Sequence, residues 1–234
     1  MRRMPSALVV LSVAIGAAGC FNPFAPRLLT QRVTSVAPSP SSPENAVKLF
    51  EWCWVNRGVE EYKELFTADY VFKSAELDSA GNQSRIETHR DEEIDTAQNM
   101  FVGSAERAPA ARITLSFDRN LSKHNDTRAG KNPGWHQTIR THVDLKVDIE
   151  EGNTLEVTGA ALFYLTKGDS ALIPTDLIAR GFKPDPARWW IDRWEDETIG
   201  SGIAAALARH TGPHSTHEVF RRSMLEVKRY YLGR

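Results

Sequence analysis

Apolar positions recur along this chain with two different periods, and the change from one to the other divides it into an early helical part and a later stranded part. Up to Phe101 the spacing is three and four, the helical period. Ser42-Pro43-Glu44 supplies a capping hydroxyl, a proline for the first turn and an acid near the positive helix end. Ala46, Leu49, Phe50 and Cys53 then form one stripe, with Trp54 beside it, and Gly58 closes the segment. A second, short helix is predicted over Val59 to Phe66, with Tyr62, Leu65 and Phe66 turned inward. Tyr70-Val71-Phe72 reads as extended, DSAGN (78–82) as a turn, and Asp91 to Phe101 as a third helix with Ile94, Ala97 and Phe101 inward.

From Ile113 the period is two. Ile113, Leu115 and Phe117 alternate with polar residues. After a polar loop (118–134), so do Ile139, Val143, Leu145, Val147 and Ile149. EEGN (150–153) is a hairpin turn, and Val157, Ala161, Phe163 and Leu165 continue the alternation. A proline-bearing insertion (169–187) precedes the last strand, RWWIDRWEDE (188–197). Helices first and a meander of long strands afterwards predict an α+β domain, with helices packed on one face of an antiparallel sheet.

The second helix leads into an LF-x-x-D-Y turn (Leu65, Phe66, Asp69, Tyr70), and the last strand carries Trp189-Trp190-Ile191-Asp192. With the element order, these resemble the nuclear transport factor 2-like fold over Pro43 to Thr198. The superfamily includes ketosteroid isomerases, polyketide cyclases, scytalone dehydratase and many domains of no known activity. The resemblance implies a cone, in which a curved sheet and the helices enclose an apolar small-molecule pocket. In its enzymes an acid–base residue sits in that pocket. Here Trp190, Trp194, Tyr62 and Phe101 are the expected lining.

Asp192 is the matching candidate base. Strand alternation puts it on one face with Trp190 and Trp194, where two indoles would desolvate its carboxylate. The competing reading is a structural aspartate that accepts an indole N–H or pairs with an arginine such as Arg140. His136, Arg140, His142 and Asp144 share the polar face of the long strand, and that face reads as the outer one. Ala160, Leu162 and Tyr164 make the neighbouring strand's outer face apolar, so a second subunit or the C-terminal tail is expected to cover it.

The first residues have a different character. Arg2 and Arg3 precede an uncharged run, ALVVLSVAIGAA (7–18), then Gly19 and Cys20. This is the layout of a secretory signal, and the run is too short to span a bilayer. Ala17-Ala18-Gly19-Cys20 resembles the lipobox of bacterial lipoproteins, which implies cleavage before a lipidated Cys20. Phe21, rather than Asp, follows the cysteine and so gives no signal for inner-membrane retention. Residues 1–19 are read as signal, 20–42 as a Pro/Ser-rich tether, 43–198 as the domain and 199–234 as a basic helical tail. Cys53 is then the one remaining thiol, on a buried helix face.

Charge changes the picture only when it is divided. The chain has a formal net charge of −1, which gives no whole-chain case for nucleic-acid binding. Within residues 20–198, 21 basic and 28 acidic residues leave −7, whereas the tail carries +4. A helix is predicted there over Thr216 to Tyr231, with Phe220, Met224, Val227 and Tyr231 as its stripe. Its basic residues are expected on the other sides, where they suit either an anionic membrane or docking on the domain. His210, His214 and His217 are close in sequence, but Gly212 and Pro213 keep them off one regular helix, so no metal is expected. No cofactor motif is present.

The reading is a lipid-anchored protein of the bacterial envelope, on the outer rather than the inner membrane. It binds a small apolar ligand or a protein partner without catalysis. The alternatives are an isomerase- or cyclase-like proton-transfer enzyme using Asp192, and a structural subunit that forms a homodimer.

Overall fold

Helix α1 (Pro43–Asn56) begins where the capping pattern places it, with Ser42 Oγ accepting from the Asn45 amide at 3.1 Å. The computed structural model describes residues 36–77, 83–149, 152–198 and 219–233. The signal, most of the tether, the DSAGN turn and the three clustered histidines lie outside these residues. The helix ends one residue earlier than glycine would suggest. Arg57 takes the left-handed conformation at φ 59°, held there by its guanidinium, which donates to the carbonyls of Ala110 (2.5 Å) and Ala111 (2.9 Å).

Helix α2 (Val59–Lys63) is shorter than its apolar spacing implies, because Phe66 already belongs to strand β1 (Phe66–Leu77). A hairpin partner not apparent from the apolar pattern, β2 (Gln83–His89), pairs with β1 and leads into α3 (Arg90–Phe101). On α3 the buried stripe is Glu93, Thr96, Ala97, Met100 and Phe101; Ile94, expected inside, is only half-buried. That rotation places a carboxylate in the interior.

The long strands follow: β3 (Arg112–Phe117), β4 (Lys123–Asn125), β5 (His136–Asp148) and β6 (Thr154–Lys167). A short α4 (Thr175–Ala179) lies in the proline-bearing insertion, and β7 (Trp189–Thr198) comes after it. Strand β8 (Val219–Arg221) and helix α5 (Met224–Leu232) end the described chain. The sheet runs β2-β1-β7-β6-β5-β3, with β4 also on β5 and β8 also on β6. β3, β5, β6 and β7 form the antiparallel meander that the alternation predicts.

Two pairings are parallel, β1 with β7 and β8 with β6. Neither is made by neighbouring strands in sequence, so no hairpin fixes their direction. Register shifts in β1–β7 and β6–β7 add curvature. Gly159 allows β6 and β7 to meet closely, since a Cβ there would lie 2.6 Å from Thr198 Cα.

One sheet face carries Ile139, Val143, Leu145, Val157, Phe163 and Trp194, all buried under the helices. Phe50 of α1 is the hub, with its ring 5.2 Å from those of both Phe163 and Trp194 and 5.3 Å from that of Tyr62. Arg140, His142, Asp144 and Lys146 alternate outward on β5. The structure is therefore α+β with helices on one face of a curved, mostly antiparallel sheet.

The C-terminal helix is shorter than predicted. Ser223 caps it, accepting from the Glu226 amide at 3.2 Å, while Glu226 accepts from the Ser223 amide at 2.7 Å. This reciprocal box fixes the start at Met224, and Val219–Arg221 is strand instead. Nor are all the tail's basic residues on the outside: Lys228 is buried.

Candidate functional site

Glu93 lies in the first turn of α3, near the positive end of that helix, and its side chain is 1% exposed. Its two oxygens take three donors. The Tyr62 hydroxyl donates to one at 2.6 Å, the Tyr70 hydroxyl to the other at 3.1 Å, and the Lys228 ammonium also donates to the second. Four separate elements, α2, β1, α3 and α5, thus meet at one carboxylate.

Lys228 is 3% exposed, and its nitrogen lies 4.3 Å from the Phe72 ring centroid and 4.4 Å from that of Trp194. A carboxylate and two aromatic faces surround the ammonium. Burial pulls the Lys228 pKa down, and the Glu93 charge opposes it. Burial, with the Glu93 charge second, raises both tyrosines well above the ordinary phenol range. The phenols are therefore donors here and not phenolates.

Asp196 extends this polar region along β7. It accepts from Ser74 Oγ at 2.9 Å, the Thr198 amide at 3.0 Å and Thr198 Oγ1 at 2.6 Å. Burial raises its pKa, against these bonds and the nearby Lys228 charge. Thr198 Oγ1 also accepts from the Met224 amide at 2.8 Å, which ties the start of α5 to the sheet. Asn99 on α3 donates to the Tyr231 carbonyl at 3.0 Å, which ties its end. The Trp194 indole N–H has no partner among the described residues.

Asp192, the expected base, is elsewhere. Ile191 faces Leu165 and Arg193 faces Tyr164, so Asp192 is the extra residue of a bulge. The bulge breaks the alternation that would have grouped it with Trp194. Its carboxylate accepts from Arg128 at 3.0 Å and Lys131 at 3.1 Å and is 9% exposed. Arg128 also holds Asp126 at 2.6 Å and stacks 4.0 Å over the Tyr164 ring. Asp192 thus belongs to an ion-pair cluster on the outer sheet face, supplied by the 118–135 loop.

The same loop covers Tyr164 in place of the C-terminal tail, whose helix packs on the other side of the sheet against α3. Arg140 pairs with Glu197 at 2.5 Å, not with Asp192. His142 and Asp144 are exposed. Burial pushes the Cys53 thiol up, the opposite of an activated nucleophile.

Three of the four expected pocket residues come together, but as packing. Tyr62 and Phe101 lie 5.9 Å apart, and Trp194 joins them through Phe50. Trp190 packs separately, 6.2 Å from Phe182 with the Arg188 guanidinium 4.5 Å over its ring. Two hollows open on the surface, one of about 550 Å³ beside Arg90 and Asp176 and one of about 370 Å³ beside Phe220 and Tyr230. Among the described residues no cluster suited to a metal ion occurs, and no helix is long and apolar enough to cross a membrane.

Glu93 and Lys228 were not apparent as site residues, yet the pattern held a signal for both. Glu93 lies four and seven residues before Ala97 and Met100, and Lys228 four after Met224 and three before Tyr231. Each is a charge on an apolar helical stripe.

No protein-family model matches the chain, and no curated protein matches it. Several solved structures are similar. A nuclear transport factor 2-like superfamily protein from Salmonella enterica is 14% identical, with 66% of this chain and 85% of that one covered at a TM-score of 0.40. A similarly described protein from Cytophaga hutchinsonii is 12% identical, with 67% and 94% covered and a TM-score of 0.40. A conserved protein from Planctomyces limnophilus is 13% identical, with 67% and 92% covered and a TM-score of 0.43.

Proposed function

We propose that this chain is a lipid-anchored protein of the bacterial envelope, held on the outer membrane through Cys20. Its α+β domain binds a small ligand with an apolar body between the helices and the sheet, without catalysis. The anchor rests on the Ala17-Ala18-Gly19-Cys20 pattern, and the observation that carries the binding reading is the occupancy of Glu93. Three internal donors, Tyr62, Tyr70 and Lys228, fill most of the roughly four acceptor positions of this carboxylate and hold it as a fixed acceptor. The other carboxylate considered for proton transfer, Asp192, is engaged by two cations on the outer face. What remains is an interior of aromatic faces around the Glu93 carboxylate, with buried Asp196 nearby on β7, a composition of apolar surface and few polar groups suited to recognition.

Two measurements test this. Mass spectrometry of the chain taken from bacterial membranes is expected to show an N-terminus at an acylated Cys20; a retained residue 1 or an unmodified Cys20 overturns the anchor. Titration of the full chain with n-butanol and n-hexanol, followed by tryptophan emission, is expected to saturate, since Trp54 and Trp194 both lie in the interior. A linear, non-saturating response overturns interior binding.

A further inference from the structure

We propose that Glu93, Tyr62, Tyr70, Phe72 and Trp194 form a binding site for a primary ammonium group, that Lys228 of α5 occupies it from within the chain, and that the external ligand is a small primary alkylamine taking the place of the Lys228 side chain. The proposal rests on the reading of the interior as a binding site and names the chemistry of its ligand.

The geometry is that of ammonium recognition. Two ring faces stand 4.3 and 4.4 Å from the nitrogen, inside the ~6 Å over which a ring quadrupole attracts a cation. The carboxylate that completes the cage is held in place by the two tyrosine hydroxyls. They keep Glu93 oriented when the ammonium is exchanged, so the acceptor does not depend on Lys228 for its position.

Stability alone gives a weak account of the pair. Replacing a buried ion pair by apolar side chains is often neutral or favourable, and α3 and α5 already meet elsewhere, as at the Asn99–Tyr231 hydrogen bond. The element carrying Lys228 is also suited to leave. Helix α5 is nine residues long and is the last element of the described chain, and isolated helices below ~12–15 residues are marginal in water. Its fold is therefore tied to its docking, and removing it opens the cage without breaking the sheet order. The butyl-ammonium end of Lys228 acts as a tethered copy of the ligand.

The test uses the full chain. Lys228→Ala vacates the ammonium position, and its unfolding midpoint is followed against n-butylammonium chloride, sodium chloride at equal ionic strength and n-butanol. The midpoint is expected to fall below wild type and to be raised saturably by n-butylammonium. Half-saturation should come at least tenfold below that for n-butanol, and the preference should vanish in Glu93→Gln/Lys228→Ala. In the wild type, hydrogen exchange of the α5 amides is expected to accelerate with n-butylammonium and not with sodium chloride.

Rescue by n-butanol equal to that by the amine overturns the ammonium assignment while leaving apolar binding in the interior. Rescue by neither removes both. Rescue that persists in the double variant overturns the role of Glu93. Unchanged wild-type α5 exchange at saturating amine overturns displacement of Lys228. If Lys228→Ala is unfolded without ligand, recovery of its circular dichroism by n-butylammonium is the readout, and no recovery overturns the proposal.

Discussion

The two sides of the sheet hold clusters of nearly the same composition. Inside, Glu93 meets one lysine, two tyrosines and two aromatic faces. Outside, Asp192 meets one lysine and an arginine that stacks on a tyrosine. The difference is water. Lys228 and Glu93 are 3% and 1% exposed, whereas Arg128 and Lys131 are 22% and 28% exposed. On the inner side both the acid and the base are closed off from water; on the outer side the cations, though not the carboxylates, keep contact with solvent. Similar chemistry therefore makes an obligatory site on one face and a replaceable brace on the other.

The sharpest way to break this contrast is to neutralise one carboxylate on each side. Glu93→Gln takes from the buried Lys228 ammonium the carboxylate it is bonded to, leaving only the more distant Asp196 charge, and is expected to lower stability by about 3–5 kcal/mol, read as a fall in the urea midpoint. An effect no larger than that of Asp192→Asn would remove the distinction. Adjacent residues on β6 test the same contrast through side chains that carry no charge of their own. Phe163→Ala, on the inner face, is expected to cost about 3–5 kcal/mol, and Tyr164→Ala clearly less, because Tyr164 is half-buried beneath Arg128.

Next in size is the connection that closes the inner site. Ser223→Ala removes half of the capping box and is expected to cost about 1 kcal/mol. The loss should appear first as faster hydrogen exchange in α5, before any change in the sheet.

The acid response should have opposite signs on the two sides. Burial raises Asp126, but the hydrogen bonds and charge of Arg128 outweigh it and leave its pKa lowered. Its contribution is present above the unfolded value of about 3.9 and is lost as pH falls through the depressed folded value. The stability gap between wild type and Asp126→Asn should therefore be constant from neutral pH to about pH 5 and shrink below about pH 4. Asp196 is raised by burial, so its ionisation weakens the fold as pH rises from its unfolded value through its folded one. Asp196→Asn should gain on wild type over that rise. Parallel slopes for the two variants would contradict the contrast. The effect of Asp192→Asn, also from the urea midpoint, is expected to be smaller than that of Glu93→Gln, because Arg128 keeps Asp126 and Lys131 is partly exposed.

The sequence made the fold class legible because alternation and helical spacing report burial directly. The Ser42 cap, the stripe from Ala46 to Cys53 and the outward face of β5 all follow from that. The site was harder to read for two physical reasons. A bulge is one residue out of phase and leaves no mark in composition, so alternation grouped Asp192 with Trp194 when the chain separates them. A buried charge looks like a break in an apolar stripe, and its partner lay on a helix 135 positions away. Spacing along one element cannot pair Glu93 with Lys228; only tertiary packing does.

The parallel pairing of β1 with β7 has a consequence for how the molecule is made. Phe72 waits for Trp194, and Phe66 for Ile191, so the sheet cannot be joined through its middle until β7 has left the ribosome. Long loops must close before those contacts give any return. Through that interval the hairpin of β1 and β2 keeps one bare edge, and Glu93 has no ammonium beside it. Lys228 is synthesised 135 positions after Glu93, so the charge that the earlier chain left open is neutralised only once α5 has been made.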